Sequence, residues 1–146
     1  MKKRWFSIVV IIIFATLSTL SGTLFAQPEK ESDITIISVQ EANELIEKNN
    51  ENSEFVILDV RTSEEYSDGH IADSLNIDYK SPNFKEEASK LEKEKIYLTY
   101  CRSGRRSAKS AEIMKELGFE NIYMIDGGIV AWEKAGLPTS HNNSRG

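Results

Sequence analysis

Apolar runs at residues 34–37, 55–60, 96–100 and 122–125 alternate with stretches that carry apolar residues on one face only. The run Phe55-Val56-Ile57-Leu58-Asp59-Val60 and the run at 96–100 are almost continuously apolar. Such runs mark strands buried on both faces of a parallel sheet. The β-branched run at 34–37 predicts an edge strand, and residues 71–77 an extended segment. Between these runs the period changes to that of helices. Ser38-Val39-Gln40-Glu41 is a capping box that opens a helix to Lys48, with Ala42, Leu45 and Ile46 on one face. Thr62-Ser63-Glu64-Glu65 caps a short helical turn ending near Gly69. Residues 83–93 read as a charged helix with Phe84, Ala88 and Leu91 inward. Residues 107–117 read as another, with Ala108, Ala111, Ile113, Met114 and Leu117, stopped by Gly118. Gly127-Gly128 turns into a last short helix bearing Trp132. Strands alternating with helices predict an α/β fold, a parallel sheet flanked by helices on both faces. No internal repeat is visible.

The first 26 residues follow a different pattern. Lys2-Lys3-Arg4 precede an almost wholly apolar stretch from Trp5 to Leu17, and small and polar residues lead from there to Ala26. This is the layout of a secretory signal, cleaved near Gln27; the alternative is an uncleaved membrane anchor, since the apolar stretch approaches spanning length. Either way the domain is expected outside the cytoplasm, secreted or periplasmic, and on a membrane only if the leader stays. Residues 27–33 read as a linker, 34–138 as one domain and 139–146 as a polar tail.

Composition narrows the partners. The chain has 146 residues, 28% of them charged, and a formal net charge of -5. Setting aside Lys2, Lys3 and Arg4 leaves 15 basic against 23 acidic residues. Such an acidic domain is a poor general binder of nucleic acid or anionic membrane, so a local cluster of arginines needs a local reason. The single cysteine excludes an internal disulfide. With two histidines, His70 and His141, and no second cysteine, no metal-ligand spacing is present. No glycine-rich nucleotide loop appears either, so no cofactor is expected. His70, beside Gly69, reads as a structural hydrogen-bonding residue rather than a general base.

That local cluster is Cys101-Arg102-Ser103-Gly104-Arg105-Arg106-Ser107, set between a predicted strand and a predicted helix. In open α/β sheets the working crevice lies beyond the carboxyl ends of the strands. A loop opening a helix there turns backbone N–H groups toward one point, and the helix dipole adds positive potential. Gly104 permits backbone geometry closed to other residues. Three arginines flank the cysteine. A buried inert thiol has no use for any of these features, whereas a reactive thiolate has use for all of them. A second strand end, Asp59-Val60-Arg61, also carries charged residues.

These residues resemble the rhodanese homology family. Leu58-Asp59-Val60-Arg61, Glu65-Tyr66, Gly69-His70-Ile71 and Asn76-Ile77 are similar to its first signature. Tyr100 to Ser107 resembles its active-site loop. Gly118-Phe119, Gly127-Gly128, Ala131-Trp132 and Ala135-Gly136-Leu137-Pro138 resemble its closing signature. The resemblance spans residues 38–138. It implies a sulfurtransferase in which Cys101 takes sulfur from a small anionic donor such as thiosulfate. A thiophilic acceptor, cyanide or a thiol, then removes it. It implies a donor site made of Arg102, Ser103, Gly104, Arg105, Arg106 and Ser107, with Asp59 lining the pocket and Arg61 paired to Glu65. Trp132 is expected in the core. Some thiosulfate-using members have a lysine two residues after the cysteine; Ser103 stands there in this chain, which leaves the preferred donor open. Related phosphatases and arsenate reductases carry one more loop residue before the key arginine. Arg106 is the fifth residue after Cys101, the shorter spacing. A non-catalytic sulfur carrier or binding module is the other alternative. The sequence names no protein partner.

Overall fold

The computed structural model describes residues 33–141. The leader, the linker up to residue 32 and the tail from residue 142 lie outside the described residues, and with them the expectations of a signal or anchor. Among the described residues no helix is long and apolar enough to cross a membrane.

Five parallel strands form one sheet: β1 (Asp33–Ile37), β2 (Phe55–Asp59), β3 (Leu75–Asn76), β4 (Ile96–Tyr100) and β5 (Asn121–Ile125), in the order β1-β5-β4-β2-β3. The predicted edge strand is at the edge, and the continuous runs of β2 and β4 lie side by side inside the sheet. Five helices complete the fold: α1 (Val39–Lys48), α2 (Ser63–Asp68), α3 (Phe84–Ser89), α4 (Arg105–Glu116) and α5 (Gly128–Lys134). Two hydrophobic layers sandwich the sheet. Val56, Leu58, Tyr97, Ile122 and Met124 pack toward α3 and α4, against Phe84, Ala88, Ala111 and Met114. Ile57, Leu98, Tyr100 and Ile125 pack toward α1 and α5, against Val39, Ala42, Ile129 and Trp132. Alternate residues of β2, β4 and β5 therefore face opposite layers, which is why both faces of these strands had to be apolar.

Local chemistry sets the boundaries of most elements. The Ser38 hydroxyl accepts from the Glu41 N–H while the Glu41 carboxylate accepts from the Ser38 N–H, closing the predicted capping box. Thr62 and Glu65 do the same for α2. Gly118, at φ 89°, stops α4 in the left-handed region.

Three expectations need correction. The helix predicted over 83–93 ends at Ser89. The chain turns there because Ile96 must enter the sheet beside Phe55, and the Tyr97 hydroxyl holds the Glu92 carbonyl at 2.7 Å; Leu91 still packs on the core. Of residues 71–77 only Leu75 and Asn76 form strand. The Ser74 hydroxyl and N–H both donate to the Ile71 carbonyl, which makes 71–74 a turn. Finally, α4 begins at Arg105, two residues earlier than its apolar face suggested. Gly104 takes the capping position at φ 93°, so Arg105 and Arg106 are first-turn helical residues rather than loop.

Candidate active site

The carboxyl ends of β2, β3 and β4 converge on a cleft of about 510 Å³ lined by Thr62, Glu64, Glu65, Lys80, Cys101, Arg102, Ser103, Arg105 and Arg106. Cys101 follows β4 directly and is only 1% exposed, so its sulfur forms the floor. The Gly104 N–H donates to Sγ at 3.2 Å, and the Ser107 hydroxyl lies 3.6 Å from Sγ. Burial by itself raises a thiol pKa. Here the Ser107 N–H and hydroxyl, with the N–H groups of Ser103 and Arg106, outweigh burial and push the Cys101 thiol down. The ring of donors thus favours the thiolate, as the loop-to-helix position suggested.

A reactivity test follows. Alkylation of Cys101 by neutral iodoacetamide should reach half its maximal rate below about pH 8.5, the value of a free thiol. Ser107→Ala should move that midpoint upward. A wild-type midpoint at or above the free-thiol value would contradict the donor ring.

The loop's backbone is fixed from a second element. The Ile129 N–H donates to the Cys101 carbonyl at 2.9 Å and the Val130 N–H to the Arg102 carbonyl at 3.2 Å. The start of α5 therefore grips the two residues that open the loop. Close approach is possible because Gly128 sits against Cys101 and Arg102 with no side chain, at φ 60°.

The predicted site residues divide into three groups. Cys101, Arg102, Ser103, Arg105 and Arg106 line the cleft. Gly104 and Ser107 lie behind it, one shaping the turn and the other buried beneath the sulfur. Asp59 does not line the cleft. It is fully buried, and its carboxylate accepts from the Arg61 backbone N–H at 2.8 Å and from the Arg61 guanidinium at 2.6 Å. That guanidinium also donates to the Gly69 carbonyl at 2.6 Å and lies over the Tyr100 ring. The Asp59–Arg61 pair thus braces the end of β2 beneath the residue that precedes Cys101.

The expected Arg61–Glu65 ion pair is therefore incorrect. Arg61 turns inward to Asp59, and Glu65 binds Arg106 through two bonds of 2.6 and 2.7 Å. The same Glu65 carboxylate closes the α2 capping box, so one side chain ties α2 to the first turn of α4. Arg106 lines the cleft with its charge already partnered. His70 stays out of the cleft: it is buried, stacked on Tyr66, and its Nδ1 lies 2.8 Å from the Tyr66 carbonyl. Trp132 is buried, with its indole N–H on the Pro138 carbonyl.

Hydrogen bonding to Arg106 holds the Glu65 carboxyl down to about 2, against an ordinary value near 4.5. A carboxylate depressed by folding stabilises the fold above its unfolded value and loses that contribution as pH falls through the folded one. The fold should therefore lose about 1–2 kcal/mol from this group between about pH 4.5 and 2, a figure discounted for partial exposure. Glu65→Gln should flatten that part of the stability profile in denaturant titrations. An unaltered acid slope in the variant would show that the pair contributes nothing.

Lys80, Glu64 and Thr62 were not anticipated from the sequence as cleft residues. Thr62 and Glu64 were legible only as a helix cap. Lys80 had no signal at all, since a lysine in a polar connection is ordinary; only the return of the chain after β3 brings it to the cleft.

Comparison with known proteins agrees with this architecture. The Rhodanese-like domain family matches residues 38–135. A protein named thiosulfate sulfurtransferase GlpE from Coxiella burnetii is 38% identical over 107 residues, 73% of this chain and 94% of that protein. A putative sulfurtransferase, YtwF, from Bacillus subtilis is 35% identical over 89 residues, covering 61% of this chain and 84% of the relative. Among solved structures, a rhodanese-related protein from Thermoplasma volcanium superposes with a TM-score of 0.62 at 30% identity, over 74% of this chain and 99% of the other.

Proposed function

Because the chain belongs to the rhodanese-like domain family and is, at the level of that family, a sulfurtransferase, we propose that it moves sulfane sulfur from an anionic donor such as thiosulfate to a thiophilic acceptor through a persulfide on Cys101. The observation that carries this reading is the Cys101 sulfur on the cleft floor, ringed by N–H donors and shifted toward thiolate despite burial. In the first step the thiolate attacks the outer sulfur of thiosulfate. A new S–S bond forms to Cys101, the bond within thiosulfate breaks, and sulfite leaves with the electron pair. The persulfide anion keeps one negative charge, and sulfite carries the other two. In the second step the acceptor, cyanide or a thiolate, takes the outer sulfur and the Cys101 thiolate returns. This is covalent catalysis in two halves. Loop N–H groups, already aimed at Sγ, stabilise the anionic sulfur in both halves.

The first turn of α4 supports an anion at this point. Helix N-termini favour acidic residues, yet the first turn of α4 has none and carries Arg105 and Arg106. Such a local conflict is expected where function overrides stability. A phosphatase or arsenate reductase using the same loop is disfavoured. Arg106 is only the fifth residue after Cys101, and its guanidinium is already held by Glu65. A sulfur carrier would share the persulfide and differ only in turnover.

One experiment tests the proposal. After incubation with thiosulfate, the intact mass should rise by one sulfur, and cyanide should remove that sulfur with formation of thiocyanate. An aryl phosphate should be hydrolysed poorly or not at all. Better turnover of the phosphate than of thiosulfate would defeat the sulfurtransferase reading, while a persulfide without multiple turnovers would identify a carrier. We further propose that the domain works outside the cytoplasm, from the leader at residues 1–26; N-terminal sequencing in the native host should find Gln27 near the start, and soluble cytoplasmic protein would refute export.

A further inference from the structure

We propose that Lys80 is a donor-binding residue: on the connection between β3 and α3, it lines the cleft with the Cys101 loop and grips an anionic sulfur donor from a segment separate from the arginines. The inference rests on the sulfurtransferase reading and names a specificity element within it.

The charges lining the cleft are not equivalent. Arg106 is bound through two nitrogens to Glu65, so little of its charge is left for a ligand. Glu64 is the remaining acidic group of the lining. Among the described residues Arg102, Arg105 and Lys80 have no ion-pair partner. Arg102 and Arg105 lie on the same short segment as the nucleophile. Lys80 reaches the cleft from a different strand end, more than twenty positions earlier in sequence.

Its carrier is not a loose loop. The Ile77 N–H donates to the Asp59 carbonyl at 3.0 Å and the Tyr79 N–H to the Val60 carbonyl at 3.2 Å, so the chain after β3 is laced to the end of β2. The Tyr79 ring meets the buried Phe84 ring edge-on. The Asp78 carboxylate accepts the Lys80 backbone N–H at 2.8 Å, and the Asp78 carbonyl accepts the Ser81 N–H at 3.0 Å, which closes a turn with Lys80 at its tip. The turn is therefore built before any ligand arrives, and only the lysine side chain has freedom to lose. A dianion resting on the Cys101 loop would then meet cations from two independent segments.

The experiment uses Lys80→Gln, Lys80→Glu and Lys80→Arg in the full domain. Lys80 is exposed, so none of these should disturb the fold, and circular dichroism checks that. With thiosulfate, Lys80→Gln should raise KM by about three- to tenfold with kcat within about twofold, the signature of lost uniform binding. Lys80→Glu should raise it further, and Lys80→Arg should restore the wild-type value. A second readout does not depend on sulfur transfer. The rate of Cys101 alkylation by anionic iodoacetate, divided by the rate with neutral iodoacetamide, should fall in Lys80→Gln and return in Lys80→Arg. An unchanged thiosulfate KM in Lys80→Gln overturns the assignment, whatever the alkylation ratio. Should the wild-type protein form no persulfide while the ratio still falls, the sulfurtransferase reading fails and Lys80 stands as an anion-binding residue of the cleft.

Discussion

Cys101→Ser is expected to lose sulfur transfer by at least about a thousandfold, because a serine hydroxyl is scarcely ionised at neutral pH and makes no persulfide. The fold should hardly change. Cys101 is 1% exposed, and a smaller oxygen at the same place would meet donors already aimed at it, the Gly104 N–H and the Ser107 hydroxyl. A buried acceptor with donors at hand costs little, so stability should stay within about 1 kcal/mol of wild type. Thermal unfolding separates the two effects, and mass spectrometry after thiosulfate should show no added sulfur on the variant. Residual thiocyanate formation within tenfold of wild type would rule out Cys101 as the covalent carrier.

Gly128→Ala should damage both stability and activity, although residue 128 does not line the cleft. An added Cβ would sit 2.4 Å from the Cys101 carbonyl oxygen and 2.8 Å from the Arg102 carbonyl carbon. Both are backbone atoms of the Cys101 loop, so no flexible side chain can yield. The residue also lies at φ 60°, where a Cβ adds strain of about 1–2 kcal/mol. Together these should cost about 3–5 kcal/mol, or displace the loop until Ile129 and Val130 lose their bonds to it. A shift of this kind should lower kcat/KM by about a hundredfold. Gly136→Ala is the control. Gly136 has φ 73° but nothing within 4 Å of the added carbon, so it isolates the backbone strain. That variant should lose about 1 kcal/mol and keep its activity. Equal melting temperatures for the two variants would refute the collision argument.

These two residues also differ in how they were legible. Cys101 stood out as a candidate from its neighbours, because a loop with a glycine and three arginines before a helix is a local feature written in consecutive residues. Gly128 read only as part of a tight turn. Its approach to Cys101 joins residues 27 positions apart, and nothing near Gly128 announces which backbone will lie against it.

The same division runs through the whole protein. Hydrophobic period and capping chemistry determined the strands, most helices and the parallel α/β class, since both depend on residues within a few positions of one another. Helix ends near Ser89 and Arg105 were misjudged where another requirement prevailed: the entry of Ile96 beside Phe55 in one case, and the glycine-capped turn after Cys101 in the other. Charge pairing was the least legible feature. Arg61, Asp59, Glu65 and Arg106 offer several complementary pairings, all plausible by charge alone. Burial decided among them: Asp59 lies wholly inside, where an unpartnered carboxylate would be costly, and Arg61 is the cation that can turn in to meet it. Glu65 was thereby left to Arg106, and the cleft was left with Arg102, Arg105 and Lys80. The sequence by itself determined which sulfur is the candidate nucleophile and what kind of sheet presents it. Which cations remain free to meet an anion was settled only by the tertiary structure, because charge neutralisation acts between segments that the chain brings together on folding.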